Sequence, residues 1–191
     1  MARTREFDGD EALQAASRVF WEKGYEATSV QDLVDATGVN RASLYQTFGN
    51  KRALFQKALD RFACDQNVQQ TAAGAPAGMA RIRAALRLAG EQAAADVRGC
   101  MIVNAIVERA AQDEKMQAVG RSTRLHLEQF FARELAEAER HGEIPPGRDR
   151  RALARFLANA LFGLRVTAKT CATAREVRSI VEATLVAVQK D

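Results

Sequence analysis

Apolar residues recur at helical spacing along almost the whole chain. Phe55, Ala58, Leu59 and Phe62, for example, follow i, i+3, i+4, i+7 spacing, which places them on one face of a helix. The chain shows no alternation of apolar and polar residues of the kind that is typical of strands. It is also rich in alanine, the strongest helix former. The pattern therefore predicts an all-α protein with about nine helices.

A segment of small residues divides this helical pattern in two. Residues 71–78, Thr-Ala-Ala-Gly-Ala-Pro-Ala-Gly, contain no large apolar side chain, and proline and glycine interrupt helices. We therefore interpret this segment as a linker between two domains. The N-terminal domain is predicted over residues 1–70, with an arm at residues 1–8, and the C-terminal domain over residues 79–191.

Composition and charge exclude several classes of protein. The 191 residues are 47% hydrophobic and 27% charged, which is typical of a globular protein. No apolar run approaches the roughly 18 residues that a membrane helix needs, and the charged start of the chain is unlike a signal peptide. Three cysteines, an odd number, cannot form a closed disulfide framework. We therefore expect a cytoplasmic protein with reduced thiols and no membrane partner.

The most informative segment contains the signals of two short helices joined at a glycine. Ser29 and Asp32 are typical of a helix start, where a serine caps an early amide and an acid is favoured. Gly38 suits the left-handed turn that ends this helix. A second short helix is predicted from Asn40 or the next residue to near Gly49. Such a pair is a helix-turn-helix, which inserts its second helix into the major groove of DNA.

The outward side of the second predicted helix carries groups that recognise DNA. Arginine pairs with guanine, glutamine pairs with adenine, and Tyr45 suits a phosphate or a thymine methyl group. Lys51 opens the next helix, where a phosphate is favoured, and the basic arm suits a minor groove. Net charge does not indicate this partner, because residues 1–70 hold 9 cations and 10 anions. The candidate DNA-contacting residues are Arg3, Arg5, Thr28, Asn40, Arg41, Ala42, Ser43, Tyr45, Gln46 and Lys51.

An ordered set of residues extends over positions 9–62: Ala16, Phe20, Gly24-Tyr25, Thr28-Ser29-Val30, Leu33, Gly38-Val39, Ser43-Leu44-Tyr45, Phe48, Lys51 and Leu54-Phe55. This pattern resembles the DNA-binding domain of TetR/AcrR-type transcriptional regulators. Two departures, Gln46-Thr47 and Gly49-Asn50, stand where a polar-aromatic pair and Pro-Ser are common in that family. The resemblance implies a homodimer, a palindromic double-stranded DNA operator, and a C-terminal domain that binds a ligand and forms the dimer.

The last two predicted helices carry small residues at close spacing, flanked by large apolar ones. Two such helices from each subunit would form a four-helix interface about a two-fold axis. Packing within one chain is the alternative interpretation of the same pattern. The candidate interface residues are Ala160, Gly163, Leu164, Thr167, Ile180, Ala183 and Ala187.

Two interpretations of the effector site remain open. Cys100 follows Gly99 at a predicted helix start, a position that favours a thiolate. This region and residues 163–169 resemble the C-terminal domain of regulators that respond to electrophiles and oxidants, such as the N-ethylmaleimide-responsive repressor. The resemblance implies that Cys100 is a reactive thiol and that Lys169 lies near it. Inert packing is the alternative for a buried cysteine.

The other interpretation is a largely apolar cavity that binds a small organic effector. Its candidate wall residues are Asn104, Glu108, His126, Phe130, Phe131 and Phe162. No phosphate-binding loop, nucleophile motif or metal-ligand spacing is present in the sequence, so we expect neither an enzyme nor a metal or other cofactor.

These features together predict a ligand-responsive transcriptional regulator. We interpret it as a repressor that an unknown small molecule or electrophile releases from its operator. The alternative is a helical adaptor for protein partners with a non-functional helix-turn-helix.

Overall fold

The computed structural model describes residues 7–65, 67–170 and 172–189, and these residues form helices and connecting turns. Nine of the described helices have eight or more residues, which confirms the prediction of an all-α protein with about nine helices. The chain divides into two compact units between residues 66 and 67. None of the described helices combines the length and the apolar character that crossing a bilayer requires.

The N-terminal unit consists of four helices. α1 packs against both α2 and α4, and α3 contacts α2 and α4. The side chain of Asp8 accepts hydrogen bonds from the backbone N–H groups of Asp10 and Glu11, and thereby caps α1. The helices are α1 (Gly9–Lys23), α2 (Val30–Thr37), α3 (Arg41–Phe48) and α4 (Lys51–Asp65).

Apolar residues at helical spacing bring these helices together. Phe20 of α1 and Phe55 of α4 meet edge to face with their ring centroids 4.9 Å apart. Leu33 of α2, Leu44 of α3 and Leu54 of α4 are fully buried. Burying a leucine stabilises a fold by about 1.5–3 kcal/mol relative to leaving it exposed. This small core therefore fixes how α3 is presented to solvent.

The C-terminal unit is a larger helical bundle. Its α8 packs along α9, and its α6 packs against α10. Its core contains mainly leucine, alanine, valine and phenylalanine side chains. The elements are α5 (Val68–Ala72), α6 (Met79–Ala95), α7 (Met101–Arg109), α8 (Glu114–Arg140), α9 (Arg150–Thr167), a 3-10 turn (Ala168–Thr170) and α10 (Ala174–Gln189).

The segment expected as a linker, residues 71–78, differs from the prediction. Ala72 and the neighbouring Val68 are buried in the core of the C-terminal unit. The guanidinium group of Arg81 donates hydrogen bonds to the carbonyl groups of the segment, including that of Ala75 at 2.9 Å. Small side chains indicate flexibility in isolation, but they also allow close helix packing. The segment therefore belongs to the C-terminal unit.

Two carboxylates from elsewhere in the chain cap the start of α6, where Gly78 offers no side chain. The N–H of Gly78 donates to Glu134 Oε2 at 3.1 Å, and the N–H of Met79 donates to Glu143 Oε2 at 2.8 Å. Glu134 is only 4% exposed and also pairs with Arg81 at 3.4 Å. The acids satisfy two of the helix's unpaired amides and favour its positive end.

Candidate DNA-binding surface

Two local contacts fix the start of α2. The hydroxyl of Ser29 accepts a hydrogen bond from the backbone N–H of Asp32 at 3.0 Å, and the Asp32 carboxylate accepts one from the N–H of Ser29 at 2.8 Å. Lys23 at the end of α1 donates to the same carboxylate at 2.6 Å. The hydrogen bond from Lys23, followed by those from Ser29, lowers the pKa of Asp32 to about 2. The α1–α2 corner is therefore tied by an ionised carboxylate.

A left-handed glycine forms the turn between α2 and α3. Gly38 has φ +66° and donates its N–H to the carbonyl of Val34 at 2.9 Å. The side chain of Asn40 then caps α3, because its oxygen accepts the N–H of Ser43 at 2.9 Å. The predicted helix-turn-helix is confirmed. Residues that the sequence indicated stand at the starts of its two helices, Ser29 and Asn40, and in the turn between them, Gly38.

α3 has one buried side and one side that remains open in the N-terminal unit. Leu44 and Phe48 are buried, so the other residues of the helix turn outward or lie at its edge. The guanidinium carbon of Arg41 lies 5.7 Å from the centroid of the Tyr45 ring, one turn along. We call the α3 outer face the set of exposed or half-buried residues Asn40, Arg41, Ala42, Ser43, Tyr45 and Gln46.

Thr28 does not belong to an accessible DNA-contacting set, and this part of the prediction is corrected. Its side chain is 1% exposed, and its hydroxyl donates to the carbonyl of Gly24 at 2.5 Å. A hydroxyl can be buried when a backbone carbonyl accepts its proton, and residue type alone does not reveal that. Arg3 and Arg5 lie outside the described residues.

Lys51 lies at the start of α4 and contacts an aromatic side chain. Its ammonium nitrogen is 4.4 Å from the centroid of the Tyr25 ring. Sequence reasoning used Tyr25 only as part of the family pattern and missed this contact. The two residues are far apart along the chain, and no spacing rule joins them.

Cys100 and Lys169 lie in one region of the C-terminal unit. Cys100 immediately precedes α7 and is 8% exposed. Lys169 Nζ donates to the carbonyl of Arg98 at 3.5 Å, and its Cγ lies 3.2 Å from where a Cβ would stand on Gly99. The amide of Asn104 donates to the same carbonyl at 2.8 Å. Asn104 therefore supports the loop before Cys100.

A buried arginine borders the same loop, and sequence reasoning missed it. Arg165 is 6% exposed, and its guanidinium donates to Gln92 Oε1 at 2.6 Å. Burial lowers the pKa of Arg165, and the electrostatic influence of Cys100 acts in the opposite direction. Among the described residues, no carboxylate forms an ion pair with it. An arginine on an amphipathic helix is normally a surface residue, so the sequence carried no signal of this burial.

Within the described part of the chain, the residues expected to line an effector cavity lie in different surroundings. Phe130 and Phe131 are buried in the core, edge to face, with ring centroids 5.1 Å apart. Phe162 packs against the same core. His126 is exposed beside Ser122, and Glu108 is also exposed. An apolar helix stripe predicts burial, but it does not distinguish a packed core from a cavity wall.

The described grooves of the C-terminal unit involve other side chains. One groove of about 400 Å³ runs between α6 and α10 beside Gly90, Val177 and Val181. Another, of about 750 Å³, lies between α8 and the start of α9. Within the described ranges, no three His, Cys, Asp or Glu side chains are grouped to hold a metal ion.

α9 and α10 each carry exposed apolar residues. Gly163, Ile180, Ala183 and Ala187 from the predicted interface are exposed, and Ala160 and Thr167 are half-buried. The prediction that Leu164 lies in the dimer interface is wrong, because this residue is 1% exposed and belongs to the core of its own unit. The sequence analysis missed three large exposed apolar residues on these helices. We call the α9–α10 face the set Phe156, Ala160, Gly163, Val166, Thr167, Ile180, Ala183, Val186 and Ala187.

Leu164 occupies the core because α9 follows a regular helical register. Leu157, Leu161 and Leu164 recur at intervals of four and three residues and are all buried. Phe156 and Gly163 follow a neighbouring row that points away from that core. The hydrophobic pattern of the sequence is compatible with burial of either row. Only the packing of α9 against α8 and α6 shows which row is buried and which is exposed.

Comparison with known proteins agrees with this architecture. Residues 12–58 match the family described as bacterial regulatory proteins, tetR family, and residues 78–184 match the tetracyclin repressor-like C-terminal domain. The HTH-type transcriptional repressor ComR of Escherichia coli (strain K12) is 31% identical over 96% of this chain and 90% of its own length. YezE of Bacillus subtilis (strain 168), an HTH-type transcriptional regulator, is 32% identical over 97% of this chain and 98% of its own length.

The solved structures include a protein captured on DNA. A cysteine mutant of the TetR family regulator CifR, complexed with 26-bp double-strand operator DNA, has a TM-score of 0.85 and 30% sequence identity. The match covers 98% of this chain and 100% of that one. The family matches and the near-complete overlap with relatives above 30% identity show that this chain belongs to the tetR family of bacterial regulatory proteins, DNA-binding transcriptional regulators rather than enzymes.

Proposed function

We propose that this chain is a homodimeric repressor that binds a palindromic operator and leaves it when an effector acts on the C-terminal unit. The observation that carries the proposal is the α3 outer face, a polar and basic surface on a helix whose other side is buried. A core helix would not expose Arg41 and Gln46, and a helix-turn-helix needs such a surface. ComR is named a transcriptional repressor, which supports repression as the direction of control.

The α3 outer face suits the major groove. Arg41 and Gln46 carry the side chains that pair with guanine and adenine edges, and each good bidentate pair contributes about 1–3 kcal/mol of discrimination. Asn40 Oδ1 accepts the N–H of Ser43 in capping α3, and the amide N–H₂ of Asn40 can donate to DNA. Lys51 supplies a cation for a backbone phosphate. Because phosphate contacts release counterions, operator binding should weaken steeply as salt increases.

The α9–α10 face supports the homodimer. Its large apolar side chains, Phe156, Val166, Ile180 and Val186, are exposed in the single chain, and monomeric proteins rarely expose contiguous apolar patches larger than a few hundred Å². Small residues between them, such as Gly163, allow two helices to approach closely. A palindromic operator needs two α3 helices about 34 Å apart, one turn of DNA, and a two-fold dimer supplies two of them. The 26-bp operator of CifR is long enough for two such half-sites.

Loop geometry near Cys100 supports a reactive effector over a purely apolar cavity. Cys100, Lys169 and the buried Arg165 border one loop, whereas the candidate aromatic wall residues are packed in the core. The sulfur of a cysteine is the nucleophile that electrophiles modify. Modification of a buried thiol adds volume to a packed region, and this favours a conformation whose two α3 helices no longer match the groove spacing.

Selection of an operator tests DNA binding and the dimer together. Wild-type protein selects duplexes from a random pool, and fluorescence anisotropy measures binding to the enriched sequence. We expect a palindrome, sedimentation as a dimer at micromolar concentration, and loss of the dimer in Ala183→Arg. Exposed Arg178→Ala on the same helix is the matched control. Failure to enrich any sequence at low salt would refute the repressor and favour the helical adaptor, and a monomeric wild-type protein would refute the dimer.

The effector proposal has its own test. N-ethylmaleimide is titrated into the dimer bound to the selected operator, and DNA release is recorded for wild type and for Cys100→Ser. Cys64→Ser is the control, because Cys64 is an exposed cysteine of the other unit. We expect Cys100→Ser to retain DNA at doses that release wild type and Cys64→Ser. Release at the same dose in Cys100→Ser would show that this cysteine is inert packing.

A further inference from the structure

The contact between Tyr25 and Lys51 joins the core of the N-terminal unit to its DNA-binding surface. Lys51 is the first residue of α4 and is half-buried. Its ammonium nitrogen lies 4.4 Å from the Tyr25 ring centroid, well within the roughly 6 Å at which an aromatic ring attracts a cation. The interaction gives a long, flexible side chain a preferred position.

Core aromatics hold the Tyr25 ring in turn. Its centroid lies 6.3 Å from that of Phe20, with the rings nearly parallel, and 4.9 Å from that of Phe55. Both phenylalanines are buried. The half-buried ring therefore forms part of a packed aromatic cluster, and that packing restricts where the ring can stand beside Lys51.

Lys51 differs from Lys23, the last residue of α1, in what its ammonium group contacts. Lys23 forms an ion pair with Asp32 at 2.6 Å. In the described part of the chain, Lys51 has no carboxylate within ion-pair distance. A ring face attracts the cation without neutralising its charge, so the N–H groups directed away from the ring remain available to an anion.

We propose that Tyr25 is a positioning residue for operator binding, whose ring holds the Lys51 ammonium group ready for a DNA backbone phosphate. The inference rests on the proposed function, in which Lys51 contacts that phosphate. Ordering a lysine side chain at an interface is costly because it has many rotamers. The ring already orders the Lys51 side chain in the unbound protein, so less conformational entropy is lost when DNA binds. Removing it therefore weakens DNA binding although Tyr25 itself touches no DNA.

The expected size follows from one contact in each subunit. A cation over an exposed aromatic ring changes an equilibrium by about 3- to 5-fold. Two subunits on one operator square this factor, so loss of the ring weakens binding of the dimer by roughly 10- to 25-fold. The effect acts through Lys51, and it must vanish when the ammonium group is absent.

A double-mutant cycle on the operator selected by wild-type protein tests the proposal. Tyr25→Phe keeps the ring and should bind within about two-fold of wild type. Tyr25→Leu removes the ring, and pentafluorophenylalanine at position 25 keeps its size but reverses the charge of its face. Both should weaken binding in the wild-type background and leave it unchanged in Lys51→Met. The fluorinated variant keeps the cycle informative if Tyr25→Leu does not fold.

Salt dependence separates the phosphate contact from a merely structural role. Lys51→Met should lower the slope of log affinity against log salt by about two for the dimer, one per lost phosphate contact. Lys57→Met, which removes an exposed lysine from the same helix, is the control and should leave the slope unchanged. An equal loss from Tyr25→Leu in the Lys51→Met background, or tighter binding on loss of the ring, would overturn the inference.

The outcome for Lys51 also distinguishes this inference from the proposed function. An unchanged salt slope in Lys51→Met would refute the phosphate contact and with it the role of Tyr25. The proposed repressor would then still stand on the operator enriched by the wild-type protein. Failure to enrich any operator would refute the proposed function itself.

Discussion

Thr28 provides a test of whether a hydroxyl in the helix-turn-helix acts on DNA or on the fold. The structure buries it and directs its hydroxyl to the carbonyl of Gly24. Thr28→Val preserves the shape of the side chain but removes the donor, so the carbonyl of the half-buried Gly24 loses this partner. Leaving a buried polar group unpaired costs about 1–3 kcal/mol.

That loss is large enough to measure in the whole chain. In proteins of 150–250 residues, 1 kcal/mol shifts Tm by about 2–4 °C, so Thr28→Val should lower Tm by roughly 2–12 °C. Below the transition, its operator affinity should remain within about two-fold of wild type, because residues that make no DNA contact do not enter the base or phosphate readout. Circular dichroism and fluorescence anisotropy supply the two measurements.

Ser43→Ala is the matched control, because it removes a hydroxyl from the α3 outer face. A surface change of this kind stays within about 0.5 kcal/mol in stability, so Tm should hold while operator affinity falls. The reasoning about Thr28 would be refuted by the opposite pattern. That pattern is an unchanged Tm together with a tenfold loss of operator affinity, as expected of a hydroxyl that donates to a phosphate.

Three further changes test the local structure. The low pKa of Asp32 means that its ionised form stabilises the folded state above about pH 4 and that this contribution is lost between about pH 4 and 2. The Tm difference between wild type and Asp32→Asn should therefore be constant above pH 5 and shrink below pH 4; a constant difference down to pH 2 would contradict this. Glu134→Ala leaves Arg81 and the N–H of Gly78 without this acceptor, and urea denaturation should show a loss of roughly 3 kcal/mol; a loss below about 1 kcal/mol would contradict the capping role. Gly38→Ala should cost about 1–2 kcal/mol because the left-handed conformation is strained for alanine, with Gly38→Asn milder; equal stabilities would contradict the turn.

Several elements of the fold and site were predictable because the interactions that form them are local. The Ser29–Asp32 box, the glycine turn and the Asn40 cap each join residues no more than four positions apart. Helical spacing likewise marked the buried side of α3. Since local signals define both helices and the turn between them, the α3 outer face followed from the sequence.

Other assignments needed the packed structure. Leu164 and Gly163 are neighbours in the sequence, yet the first is buried and the second exposed. Segment 71–78 has the composition of a flexible linker, yet part of it packs against α6 and is held by Arg81. In each case, the deciding contact depends on how the helices pack, which residue type and spacing do not specify.

The amino-acid sequence by itself determined the all-α class, the helix-turn-helix and the polar side of α3, because helix periodicity and capping act over a few residues. Only the tertiary structure decided which hydroxyl is buried, where Arg165 lies, and that Lys51 stands over Tyr25. Those outcomes depend on which helix faces meet, and burial and electrostatic contact act through space between residues that no local pattern connects.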